Sequence, residues 1–147
     1  MDMLADEINW VLGHRIRSWS TDPSYGLIEV TSPPKVPGPP PHFHKRESEF
    51  FLILHGELDV MEEGRWRRAG PGSFLEMPPG TTHTFINNTA SDVVWVTGWR
   101  PKGFEQFFRH FGVPVAESGS RERSVSPEMI QRVIAGCQAF GMYVKGA

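Results

Sequence analysis

At 147 residues, with a formal charge of −2, 39% hydrophobic residues, five Trp and ten Phe, the chain is sized for one domain with a substantial core. The near-neutral balance, with no basic run interleaved with aromatics, excludes an electrostatic binder of nucleic acid or anionic membrane. No apolar stretch approaches the ~20 residues that cross a bilayer. A charged start followed by an apolar segment and a cleavage site, the mark of secretion, is absent. The single cysteine, Cys137, forms no internal disulfide, so a cytoplasmic protein is expected.

Taken in chain order, alternating apolar and polar residues before position 30 (Ile16, Ser18, Ser20, then Leu27 to Val30) predict one or two strands. Between Thr31 and Pro41, Pro33, Pro34, Pro37, Pro39, Pro40 and Pro41 fix φ and remove backbone donors, which rules out a central strand. The segment is either a stiff lead-in that aims His42 or a plain surface linker. Phe50 to Leu54 is continuously apolar, as in a strand buried on both faces, and calls for cover from another segment or a second subunit. Gly56, Glu62-Glu63-Gly64 and Gly70-Pro71-Gly72 then punctuate short strands at the spacing of a sandwich or barrel. Phe74 to Met77, His83 to Asn87 and Val93 to Trp99 supply further strands.

Beyond Pro101 the period changes. Phe104, Phe107, Phe108 and Phe111 form a helical stripe, read as core, which Gly112 and Pro114 stop. Glu117 to Ser124 is polar and is expected to be a mobile loop. Ser126-Pro127-Glu128 has the form of an N-cap, a first-turn proline and a first-turn acid. Met129, Ile130, Val133, Ile134 and Cys137 mark the apolar face of that helix, with Gly141 as its stop. The expected layout is a β-barrel with N-terminal strands over 1–100 and a helical appendage of the same domain over 101–147.

The chemistry concentrates in His42-Phe43-His44, Glu49 and His83. Alternate residues of a strand share a face, so His42 and His44 project together. Glu49 has the parity of Phe51 and Ile53 and can turn inward, while His83 must come from a neighbouring strand. Three imidazoles and a carboxylate suit one divalent transition metal (Fe, Mn, Ni, Cu or Zn) and leave coordination positions open, as catalysis requires. Glu49 could serve as ligand or, released, as a base. Phe51, Phe85, Trp95 and Trp99 are candidates for the wall of a pocket for a flat, apolar ligand, or else barrel filling. His55 is read as a turn residue, His14 and His110 as surface, Asn87 as a partner for backbone groups, and Cys137 as a buried thiol.

The pattern His42-x-His44, four residues, Glu49, six residues, Gly56, followed by Gly72, five residues, Pro78-x-Gly80, two residues, His83, three residues, Asn87, resembles the two signature motifs of the cupin superfamily. One departure is visible: Val36 stands where the first motif usually opens with glycine, and Gly38 comes two residues later. The resemblance implies an all-β, jelly-roll-like barrel with a metal near one mouth, held by His42, His44, Glu49 and His83, and a homodimer. The stretch His42 to Phe51 and the tail Gly103-Phe104-Glu105-Gln106-Phe107-Phe108 are similar to quercetin 2,3-dioxygenase-like cupins. That likeness implies a dioxygenase on a small phenolic or enolic compound, with Glu49 also as base. A non-redox cyclase or isomerase, and a metal-containing binding module without catalysis, are the other readings, because this scaffold hosts many reactions.

Overall fold

The computed structural model describes residues 7–146. Three strands, β1 (Glu7–Val11), β2 (His14–Ser18) and β3 (Gly26–Ser32), precede the proline segment. The alternation before position 30 predicts only one or two. Then follow β4 (His42–Phe43), β5 (Ser48–His55), β6 (Leu58–Glu62), β7 (Arg65–Ala69), β8 (Phe74–Met77), β9 (His83–Ile86) and β10 (Val93–Arg100). The remainder holds α1 (Gln106–Phe111), β11 (Val113–Pro114), α2 (Ser120–Ser124), α3 (Pro127–Gly136), a 3₁₀ turn (Cys137–Phe140) and β12 (Tyr143–Val144). The strands form two antiparallel sheets, in the orders β11-β1-β2-β3-β10-β5-β8 and β12-β4-β9-β6-β7.

Alternation decides what faces inward. Gly26, Ile28, Val30 and Ser32 of β3 are buried, as are Trp95, Thr97 and Trp99 of β10 and Glu49, Phe51 and Ile53 of β5. The Phe50–Leu54 run is therefore not buried on both sides: Phe50 and Leu52 are half-buried and Leu54 is exposed. Their side chains lie on the outer face of the larger sheet, where nothing among the described residues covers them fully.

The tail is stitched into both sheets, because β11 pairs with β1 and β12 pairs with β4. Phe104, Phe107 and Phe111 are buried in the main core. Ser126 caps α3 by accepting from Met129 N at 3.2 Å, with Pro127 in the first turn. The apolar face of α3 is narrower than its sequence predicts: Val133 and Cys137 are buried, whereas Ile130 and Ile134 face outward. The polar stretch expected to be a mobile loop contains α2, whose Ser124 hydroxyl accepts from Gly13 N at 3.0 Å. That bond, across more than a hundred residues, anchors a segment whose local composition is only polar.

Candidate metal centre and its cavity

The proline segment is a pinned lead-in. Lys35 N and Gly38 N donate to the carbonyls of Asn87 and Phe85 at 2.8 and 3.0 Å, which lays the segment along β9. Prolines cannot donate, yet their carbonyls accept. Pro37 takes the His14 Nε2–H (2.9 Å), Pro39 the Thr84 hydroxyl, Pro40 the His42 Nδ1–H (3.0 Å) and Pro41 the Lys145 N–H (2.9 Å). Gly38 passes so close to Phe85 that a Cβ there would fall 2.6 Å from the Phe85 carbonyl oxygen. The segment thus delivers His42 in a fixed direction.

His42 pairs in register with His83 across β4 and β9, and Glu49 enters from β5 on the other sheet. All four predicted ligand residues are buried, and one donor atom from each lies within 4.8 Å of the others. Each imidazole is oriented by a backbone carbonyl: His42 Nδ1–H donates to Pro40, His44 Nδ1–H to Gly141 and His83 Nδ1–H to Thr81, at 3.0, 3.0 and 2.9 Å. With Nδ1 carrying the proton, a neutral ring turns its Nε2 lone pair to the centre, and His83 Nε2 also stands within hydrogen-bond reach of Glu49 Oε1. Glu49 Oε2 accepts from the Thr97 hydroxyl at 2.7 Å. Its other oxygen lies 2.9 Å from His83 Nε2 and 3.3 Å from His44 Nε2.

That arrangement concentrates lone pairs on one point. His44 Nε2 makes no hydrogen bond although it is fully buried. Burial, together with His83 and His44, pushes the His42 pKa down to about 3. Burial alone would raise Glu49, but His83 and His44 outweigh it and hold the carboxyl below the usual range. Burial likewise disfavours charge on His83, yet the Glu49 carboxylate prevails and raises its pKa. A cation at the centre would satisfy every one of these atoms at once. The donor set, with each ring fixed by a carbonyl, fits a metal ion.

Next to this cluster is a cavity of about 60 Å³, whose wall is almost wholly apolar. Ile28, Val30, Phe51, Phe85, Trp95 and Trp99 come from the sheets, and Phe104, Phe107 and Phe108 close it from the α1 region. Phe51, Phe85 and Trp95 contact one another edge-on or tilted, with ring centroids 4.6 to 6.1 Å apart. Phe104 packs on the His44 ring at 4.4 Å.

His14 corrects its surface assignment. It is buried, lines the cavity, and belongs to a chain in which Trp95 Nε1–H donates to Ser32 Oγ (2.9 Å) and Ser32 donates to His14 Nδ1 (3.0 Å). It shares parity with the inward Ile16 and Ser18 on β2, the signal that could have found it. His55 and His110 are exposed. Asn87 is fully buried and serves the backbone, donating to Ser32 and Ser91 carbonyls and accepting from Thr89 N.

Residues 28–99 match the cupin domain family. The barrel is a cupin domain. Over 103 residues, 69% of the chain, it is 31% identical to the quercetin 2,3-dioxygenase of Bacillus subtilis (strain 168), spanning 30% of that protein. The chain covers between 18% and 34% of the length of the curated relatives it matches. Among solved cupin-like structures, KdgF from Halomonas sp. aligns with a TM-score of 0.63 at 21% identity, over 72% of this chain and 96% of that one. A cupin sugar phosphate isomerase from Silicibacter pomeroyi aligns at 0.59 with 17% identity, over 70% and 76%. At such identities the structural likeness is one of fold.

Proposed function

We propose that His42, His44, Glu49 and His83 hold one divalent transition metal ion (Fe, Mn, Ni, Cu or Zn), and that this cupin is a dioxygenase acting on a small phenolic or enolic compound. The supporting observation is the commitment of all three Nδ1–H groups to backbone carbonyls, which turns three Nε2 atoms and a carboxylate onto one point beside an apolar cavity. A bound ion would supply Lewis acidity toward a substrate oxygen and, if redox-active, chemistry with O₂.

The chain's own residues do the rest. Thr97 fixes the orientation of the Glu49 carboxylate. Phe51, Phe85, Trp95 and Trp99 exclude water and orient a flat substrate. Glu49 serves as a ligand and, released from the ion, as the base for a substrate hydroxyl. The cavity has room for roughly five water-sized groups. With α1 in place the space is well short of the roughly 150 Å³ that holds one benzene ring, so a phenolic ring enters as the α1 aromatics shift. No Lys or Arg among the described residues lines it, which disfavours a phosphorylated substrate.

No helix among the described residues is long and apolar enough to cross a membrane. We place the protein in the cytoplasm, as a homodimer joined through the outer face of β5, with a small-molecule substrate and neither nucleic acid nor membrane as partner. Oxygen uptake tests the activity. Protein reconstituted in turn with Fe, Mn, Ni and Cu should consume O₂ with one member of a panel of single-ring phenols and enols. No uptake with any combination contradicts a dioxygenase. Anaerobic turnover would replace it with a non-redox cyclase or isomerase, and binding without product with a binding module.

A further inference from the structure

Behind His44, on the edge of the ring turned away from Glu49, lies a second carboxylate. Glu47 Oε2 stands 3.9 Å from His44 Nδ1, while Nε2 of the same ring faces Glu49 at 3.3 Å. The Nδ1–H is given to the Gly141 carbonyl at 3.0 Å, so Glu47 takes no hydrogen bond from the ring. Its Oε2 is fully buried and has no donor. The Glu47 side chain is 11% exposed, and among the described residues its one ion-pair contact is this imidazole.

Gly141 frames the carboxylate. It ends the 3₁₀ turn at φ +95°, a conformation that favours glycine, and a Cβ there would lie 3.5 Å from both Glu47 oxygens. The same residue therefore orients His44 through its carbonyl and borders Glu47 through its backbone. Phe104 packs on the His44 ring at 4.4 Å, and the His44 carbonyl accepts from Gly80 N at 2.8 Å. The imidazole is held by its edge, by an aromatic neighbour and by its backbone.

A buried carboxylate oxygen without a donor is costly unless positive charge faces it. The charge balance of the cluster calls for such a group. Three neutral imidazoles and Glu49 leave one positive charge of a divalent ion uncompensated, and water does not screen it in a buried site. An imidazole that coordinates through Nε2 passes part of that charge to its Nδ1 edge, which is the edge Glu47 faces. With Glu47 included, the centre is neutral.

We propose that Glu47 is a positioning residue of the metal centre that acts through His44. Its carboxylate balances the remaining charge and raises the affinity of the site for a divalent ion without ligating it. The inference rests on the metal reading above, and it gives a role to an acid between His44 and Glu49 that the motif leaves unassigned.

The test uses the full chain carrying Glu47→Gln, which keeps the shape of the side chain and removes its charge. Zinc affinity is measured by competition with a chelator, and the metal-free proteins are compared by thermal unfolding. Zinc should bind the variant roughly tenfold more weakly. The metal-free variant should nevertheless unfold no lower than the parent, because a stranded charge has been removed. A residue that merely packs would lower both. Glu47→Asp, which keeps the charge, should bind zinc more tightly than Glu47→Gln. In ¹H–¹⁵N spectra of the zinc-loaded protein, one of the three ligand Nδ1–H signals should shift between parent and Glu47→Gln, and two should stay.

Equal zinc affinity in parent and Glu47→Gln would overturn the proposal and leave the four-ligand reading intact. So would a metal-free variant that unfolds well below the parent, a Glu47→Asp no better than Glu47→Gln, or Nδ1–H signals that do not move. A parent that binds no zinc would overturn the metal reading, and this proposal with it.

Discussion

His14 ties three segments with two ring nitrogens. It accepts from Ser32 on β3 and donates to Pro37 in the proline segment, from its own place on β2. Accepting from Ser32 requires the neutral ring, and burial pushes its pKa down to about 4, with the Pro37 carbonyl opposing the lowering and Arg121 adding to it. The unfolded chain, with an ordinary value of 6.5, therefore binds a proton more readily than the folded one between those limits. The stabilisation is complete above pH 6.5 and is lost as pH falls toward 4. The interval corresponds to roughly 3 kcal/mol. Urea unfolding at pH 7 and pH 4 should show His14→Gln losing less stability on acidification than the parent, by about that amount. An identical loss in the two proteins would show that His14 is not the group responsible.

At the scale of elements, the site is an intersection of short strands with a rail of proline carbonyls. Much of this was legible. His-x-His parity puts two ligands on one face, the Glu49, Phe51, Ile53 parity turns the acid inward, and the second motif brings His83 from a neighbouring strand. The rest depended on contacts distant in sequence. Nothing local in Glu117 to Ser124 announces α2, because its anchor is the Gly13 N–H. Glu105 is an ordinary acid just before a helix until Gly26 is seen to make room for it. Ile130 and Ile134 obey the helical period, but α3 meets the core along a narrow strip. The N-cap of α3 was readable, and it is testable. Ser126→Ala removes the acceptor for Met129 N, and denaturant unfolding should report a loss of about 1 kcal/mol. No change would mean that tertiary packing alone sets that helix end.

At the scale of the molecule, the outer face of β5 and β8 is an apolar surface that the described residues leave uncovered. Phe50 and Leu52 are half-buried, Leu54 is 42% exposed, and Phe74, stacked on Phe50 at 5.6 Å, is 59% exposed. Phe74 lies on β8, the edge strand of the larger sheet, where an apolar strip invites pairing. Light scattering should therefore find twice the 16.6 kDa chain mass, and Phe74→Glu should return it to the monomer with little loss of stability. A monomeric parent would remove the homodimer. The central claim is the four-residue metal centre, and metal content decides it most directly. Untagged native protein should carry about one transition-metal ion per chain by mass spectrometry, and His83→Ala, purified identically, should have lost it. Metal-free native protein, or a mutant with the same content as the parent, would contradict the account.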